Sequence, residues 1–220
     1  MSTPQCGAVD NLVGLSAGLA SFALMRWDNL FDDLEGQLEQ ELSAEEVDLQ
    51  AEEERLRLGR LSVRDRIRAM HESGGIRHPI RVVLMNGTTI AVLPKTIGRD
   101  WVSGDLVDES QRESQCIVPI AAIASLVLSR EQVADSLEAS DESAHGLSGR
   151  LGLGFVLRDL CRRRRAIDVQ LASGVLHGTI DRVGRDHLDL AMHDAGTPRR
   201  ENAVTQYRLV PFDQVQLVRV

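Results

Sequence analysis

One arrangement of strands occurs twice in this chain, and that duplication limits the available folds more than any other feature. The stronger copy lies in Val169–Val220 and the weaker in Ile80–Leu128. Val82-Val83-Leu84-Met85-Asn86-Gly87 aligns with Val169-Gln170-Leu171-Ala172-Ser173-Gly174. After one slipped residue, Ile97-Gly98-Arg99-Asp100-Trp101 aligns with Val183-Gly184-Arg185-Asp186-His187, and Val118-Pro119-Ile120 with Val210-Pro211-Phe212. Apolar residues alternate in each copy, as half-buried strands require. Turn residues separate the runs: Asn86-Gly87 suits a two-residue hairpin because both residues tolerate positive φ. Gly174 serves the corresponding turn, and Gly178 removes a side chain where a bent strand crosses its neighbour. Pro94 is expected to stop the second strand, and Ile120–Leu128 to form a short turn and then a strand. A helix is expected before each copy, so the repeating unit is a helix plus five short strands.

The remaining sequence divides around these copies. Residues 1–24 are expected to be a loose or weakly helical tail, or an artefact of a start site upstream of Met25. Their apolar run 12–24 is too short to span a bilayer, and no basic residue precedes it as in a secretory signal. Residues 25–60 form an acidic arm in which Leu30, Phe31, Leu34, Leu38 and Leu42 make one apolar stripe of an amphipathic helix. Ser43 with Glu46 resembles a capping box, which predicts a second helix joined to the first as a hairpin or by a bend. The first copy with its leading helix spans 61–128, residues 129–149 are expected to be a flexible connector, and the second copy with its basic leading helix spans 150–220. The fold class expected is therefore α+β.

Charge is laid out unevenly. The chain has a formal net charge of −8 over 220 residues. Residues 28–54 carry twelve carboxylates and no Lys or Arg, whereas 146–220 carry twelve Arg and eight acids. An acidic first half argues against non-specific nucleic-acid binding by the whole chain, while the second half tolerates a polyanion. The candidate nucleic-acid contacts are Arg158, Arg162, Arg163, Arg164, Arg165, Arg182, Arg185, Arg199 and Arg200. The same arginines also suit acidic partners or a solvated helix end.

Catalytic and metal chemistry find no pattern here. Cys6, Cys116 and Cys161 lack metal-knuckle or redox spacing, so buried thiols in a reducing cytoplasm are expected. His177, His187 and His193 are expected on outward faces, with too few carboxylates in reach to bind a metal. Gly146, Gly149, Gly152 and Gly154 lack the lysine and the strand-to-helix context of a phosphate loop. Asp100 and Asp186 are expected to accept backbone amides in their turns, a structural role shared with Gly87, Gly98, Gly174, Gly178 and Gly184. No cofactor, small-molecule substrate or membrane contact is expected.

The duplicated unit resembles the Sm-like (LSm) small-barrel family. The residues that carry the likeness are Gly174, Gly178, Ile180 and Asp186 as its first motif and Leu209–Val215 as its second, over about half the chain. The resemblance implies two tandem helix-plus-five-strand barrels and, in the RNA-binding members, a base pocket with an Asn after the motif aspartate and an Arg-Gly pair. This chain has Asp189 and Pro211-Phe212 at those places, and the first copy has Ser103 and Pro119-Ile120. A carboxylate facing a phosphate or base pocket is unfavourable unless it accepts from an amino group. The whole chain, with its acidic arm, is also similar to small proteins of high-GC Gram-positive bacteria labelled Fis-type regulators. Residues 28–70 supply helices too acidic to approach DNA. The expectation is a non-enzymatic adaptor or regulatory protein whose partner is another protein or a second copy, with RNA binding as the alternative.

Overall fold

The computed structural model describes residues 14–73, 79–107, 114–138, 146–197 and 199–220, and the side chains from residue 31 onward. The chain divides into two units, Met1–Arg60 and Leu61–Val220.

The first unit contributes one helix, α1 (Gly14–Arg60). The break expected at Ser43 does not occur. Glu39, Gln40, Glu41, Leu42, Ala44, Glu45 and Glu46 around it are good helix formers, so continuing the hydrogen-bond ladder costs less than nucleating a second helix. Two exposed pairs, Arg55 with Glu52 and Arg57 with Glu54, support its last turns at i,i+3 spacing. The tail expected to be loose or weakly helical is helical from Gly14, and residues 1–13 lie outside the described residues.

The described residues of the second unit form an α+β structure of three α-helices and ten strands. Helix α2 (Val63–Glu72) opens on a capping box in which Ser62 and Asp65 satisfy each other's backbone amides. The glycines expected to end it, Gly74 and Gly75, lie outside the described residues. Then come β1 (Ile80–Leu84), β2 (Thr89–Ile97), β3 (Trp101–Leu106), β4 (Ser114–Pro119) and β5 (Ile123–Val127). After α3 (Arg130–Leu137) and α4 (Leu153–Arg162), the second half repeats the series as β6 (Ala166–Leu171), β7 (Gly174–Val183), β8 (His187–Met192), β9 (Gln206–Pro211) and β10 (Leu217–Arg219).

All ten strands belong to one open sheet in the order β5-β1-β2-β3-β4-β10-β6-β7-β8-β9. Each half therefore has its fifth strand beside its first. The two halves meet where β4 pairs antiparallel with β10, Val218 opposite Ile117 and Arg219 opposite Cys116. Neither half pairs its own fourth strand with its own fifth.

The repeat extends to irregularities. A register shift falls between Pro94 and Thr96 in the β2–β3 ladder and between Ile180 and Arg182 in β7–β8. That bulge corrects one expectation: β2 continues through Pro94, whose missing N–H is accommodated there. A second correction concerns 129–149, where α3 forms with its own Ser129–Gln132 capping box. The fully buried Ser136 accepts from Arg66 at 2.8 and 3.2 Å, tying α3 to α2. Residues 139–145 of that stretch lie outside the described residues.

Two cores result, and they interlock. The first holds Ile67, Met70, Ile80, Val82, Leu84 and Val92, together with Leu217 from the second half. The second holds Leu153, Leu157, Leu160, Ile167, Val169 and Leu188, together with Trp101 and Ile117 from the first half. Polar bonds reinforce the seam: Asn86 N–H donates to Gln216 Oε1 at 3.1 Å, and Gln170 Nε2 to Thr88 Oγ1 at 3.3 Å.

Candidate functional site

The basic helix is where sequence placed the strongest charge. Arg162 lies 3.6 Å from Asp159, and Arg163 Nε donates to the other oxygen of the same carboxylate at 2.7 Å. Arg164 occupies the left-handed region at φ 53° just past the helix end, a position usually taken by glycine. Its Nη1 bonds Asp181 at 3.2 Å. Arg199 grips Asp181 through two bonds of 2.8 and 2.6 Å, which raises the pKa of that guanidinium above its ordinary value. Arg182 stands 4.0 Å from Asp189. Five of the nine candidate arginines are thus committed to internal acids. Arg158 donates to the Gly184 carbonyl at 3.2 Å, and Arg165, Arg185 and Arg200 are exposed without an ion pair among the described residues. Asp159 and Asp181 therefore neutralise much of what the sequence presents as a basic patch.

The arm keeps its apolar stripe in solvent. Phe31, Leu34, Leu38 and Leu42 are each more than half exposed, whereas the side chain of Leu30 lies outside the described residues. Leu49 and Leu56, also exposed, extend the stripe from Leu42 at seven-residue spacing. Assuming a break at Ser43 hid this continuation, because only a continuous helix brings Leu42, Leu49 and Leu56 onto one line.

The turn residues occupy matched positions. Gly98 N–H donates to the Trp101 carbonyl and Gly184 N–H to the His187 carbonyl, both at 2.8 Å. A Cβ at Gly98 would overlap the Trp101 ring and one at Gly184 the His187 ring. Gly178 lets β8 approach so that a Cβ would lie 2.4 Å from the Ala191 carbonyl; Gly104, which sequence reading did not single out, does the same against Leu93. Gly87 (φ 84°) and Gly174 (φ 137°) hold the hairpin turns. Asp100 does accept a backbone amide, but a distant one: Oδ1 takes Leu153 N–H at 2.7 Å. Asp186 instead pairs with His187 Nδ1 at 2.8 Å, and that bond holds its carboxyl below the usual range.

A polar cluster on β6–β8 was not foreseen. His193 is buried rather than outward, with Nε2 2.9 Å from Thr179 Oγ1 and Nδ1 3.1 Å from the Asp194 carbonyl. His177 meets it edge to face at 5.3 Å and pairs through Nδ1 with Asp168 at 2.6 Å. The signal was cross-strand register, which sets Asp168 opposite His177. An Asp–His pair resembles half of a catalytic arrangement. His177 Nε2 is buried and has no hydrogen-bond partner among the described residues. Among the described residues no group of three His, Cys, Asp or Glu side chains converges for a metal.

The sheet ends in two unpaired edges. Among the described residues, strand β5 pairs only with β1, and β9 only with β8. Exposed Tyr207 and Leu209 lie on β9 and half-exposed Val127 on β5. No described helix is long and apolar enough to cross a membrane. In comparison with known proteins, no family model and no curated protein sequence matches this chain.

Proposed function

We propose that the chain is a non-enzymatic cytoplasmic interaction protein built on two Sm-like units, with other copies of itself as first partner and the acidic arm as a docking element. The observation that carries this reading is the β4–β10 junction, where a fourth strand of one unit pairs with a fifth strand of the next. The outer edges are the same two kinds of strand, a free fourth in β9 and a free fifth in β5. One chain's β9 can therefore meet another's β5 by the geometry already used within the chain, a head-to-tail interface that closes into a ring or continues as a filament.

Light scattering on the full chain tests it. The expected mass is a multiple of 24.2 kDa. Tyr207→Lys with Leu209→Lys places edge charges that oppose strand pairing and should reduce the mass to that of one chain with the circular dichroism unchanged. A second variant, Leu34, Leu38 and Leu42 all to Ser, separates association through the arm from association through the edge. A monomer at every micromolar concentration, or an assembly indifferent to the β9 charges, removes the edge reading.

RNA binding is the second reading, supported by exposed Arg158, Arg165, Arg185 and Arg200. A ribonuclease-sensitive absorbance excess at 260 nm that disappears when these four are neutralised would favour it.

A further inference from the structure

Arg68 has a setting that the interaction reading does not use. It projects from α2 into a cleft of about 250 Å³ whose walls include His71, Lys95, Thr96, Ser148 and Gly149. The residue is only 8% exposed, yet it makes no hydrogen bond or ion pair among the described residues. A guanidinium cannot shed its proton, so the charge is permanent, and its donors are left to whatever occupies the cleft.

A second guanidinium stands beside it, and Asp65 lies within electrostatic reach of both. Arg64, one turn earlier on α2, donates Nε to the Gly98 carbonyl at 2.9 Å and Nη2 to the Gly149 carbonyl at 3.0 Å. Both acceptors are neutral, and burial together with the charge of Arg68 depresses the pKa of Arg64. Lys95, at the open side, pairs with Asp105 across the strands. Glu72 is the carboxylate of the lining, and Asp65 is engaged with Ser62 in the capping box. Gly149 comes close enough that a Cβ there would stand 3.1 Å from Arg64 Nη2 and 3.6 Å from Arg68 Nη2. The short turn Leu147–Arg150 thus packs its backbone, not a side chain, against the paired guanidiniums, and the cleft stays open beside them.

We propose that this cleft binds a small phosphate monoester, whose oxygens take the fork of Arg68 and the ammonium of Lys95. Arginine presents parallel N–H donors that match two phosphate oxygens, and a partly desolvated site strengthens each bond. The volume exceeds that of a bare phosphate and leaves room for a compact organic group along Thr96 and Ile97.

Inorganic phosphate and glycerol 3-phosphate are the probes, added to the full chain at constant ionic strength with chloride as the balancing anion. Isothermal titration and the melting temperature are the readouts. Expected are saturable binding and a rise in melting temperature that chloride does not give. Arg68→Met should weaken binding about a hundred-fold and Lys95→Gln, on the exposed side of the cleft, about five-fold, as charge-assisted bonds of unequal burial predict. Without phosphate, Arg68→Met should melt close to the parent, since the guanidinium has no hydrogen bond or ion pair among the described residues to lose. If Arg68→Met does not fold, Lys95→Gln and phosphorus-31 line broadening on the parent decide. Equal responses to phosphate and chloride overturn the proposal. So does binding that Arg68→Met or Lys95→Gln leaves unchanged.

Discussion

The turn at Gly98–Trp101 and the turn at Gly184–His187 share backbone geometry but have opposite fates. Both close through the same glycine-to-carbonyl bond, and each aspartate carbonyl accepts from the residue after the matched proline: Ile120 N–H to Asp100 at 2.9 Å, Phe212 N–H to Asp186 at 2.8 Å. The first turn is occupied. Arg99 N–H and Trp101 Nε1 both donate to the Leu151 carbonyl, at 3.0 and 2.9 Å, and Asp100 captures the first amide of α4. The second turn takes a single exposed bond from α4, Arg158 Nη2 to the Gly184 carbonyl at 3.2 Å, while Asp186 and His187 pair with each other and the Asp186 side chain is 84% exposed. The helices are complementary to this difference. Helix α2 caps its own start with Ser62 and Asp65, whereas α4 begins at Gly152 without a side-chain cap and borrows Asp100. Duplication thus produced two similar units, and sequence drift made one a socket and the other its plug.

Deleting the indole should separate the two turns most widely. Trp101 is 5% exposed within the second core. Trp101→Ala should cost about 3–5 kcal/mol in urea unfolding, the usual loss for a buried aromatic. His187→Ala, at the matched position, should stay within about 0.5 kcal/mol. Equal losses would mean that the first turn is not a socket.

Adding a methyl group sharpens the contrast. A Cβ at Gly98 would lie 2.2 Å from the Trp101 ring, which the second core holds in place. Gly98→Ala is expected to cost about 1–3 kcal/mol by overpacking. The overlap at Gly184 is with His187, a half-exposed ring that can swing away, so Gly184→Ala should cost about 0.5 kcal/mol or less in the same assay.

The repeat was legible because its signals are local. Asn86-Gly87, Gly174 and the Gly-Arg-Asp pattern are read within a few residues, and each lies in a turn. The first is not the two-residue kind expected: Gly87 alone takes positive φ, and its N–H closes the turn on the Leu84 carbonyl. What lay beyond reach was set by partners far along the chain. Asp100 chose Leu153 over its own turn, and Arg164 and Arg199 converged on Asp181 from opposite sides in sequence. The buried state of Arg68 was equally hidden, since a stripe of Leu61, Arg64, Ile67 and Met70 places no demand on the residue beside it. Ser43 failed for a different reason: its capping pattern was real, but helix propensity on both sides outweighed it.

The seam between the halves has a pH signature. Cys116 on β4, across from Arg219 of β10, is buried, and burial pushes its thiol up to about 12. Its ordinary value is 9.0, so the unfolded chain ionises first as pH rises. The contribution is complete below pH 9 and disappears as pH climbs from there toward 12. Relative to Cys116→Val, the parent should lose about 1.4 kcal/mol of stability per pH unit above that point. Parallel slopes for the two proteins would place the thiol in water and the seam open.

The smallest expected effect isolates the borrowed cap. Asp100 Oδ1 stands 2.7 Å from Leu153 N–H, an amide at a helix start whose own N-cap is glycine. Asp100→Ala should cost about 1 kcal/mol, as loss of a side-chain N-cap does. Asp186→Ala, which breaks only an exposed pair with His187, should be neutral within about 0.5 kcal/mol. Replacing Gly152 with Ser offers α4 a local cap, its Cβ displacing the exposed Arg99 guanidinium that would stand 2.6 Å away, and it should recover part of the Asp100→Ala loss. Recovery would show that the first unit's aspartate acts through the helix end alone. No recovery would shift its role to the contacts of Arg99 and Trp101, and the socket would then be held by the indole rather than by the carboxylate.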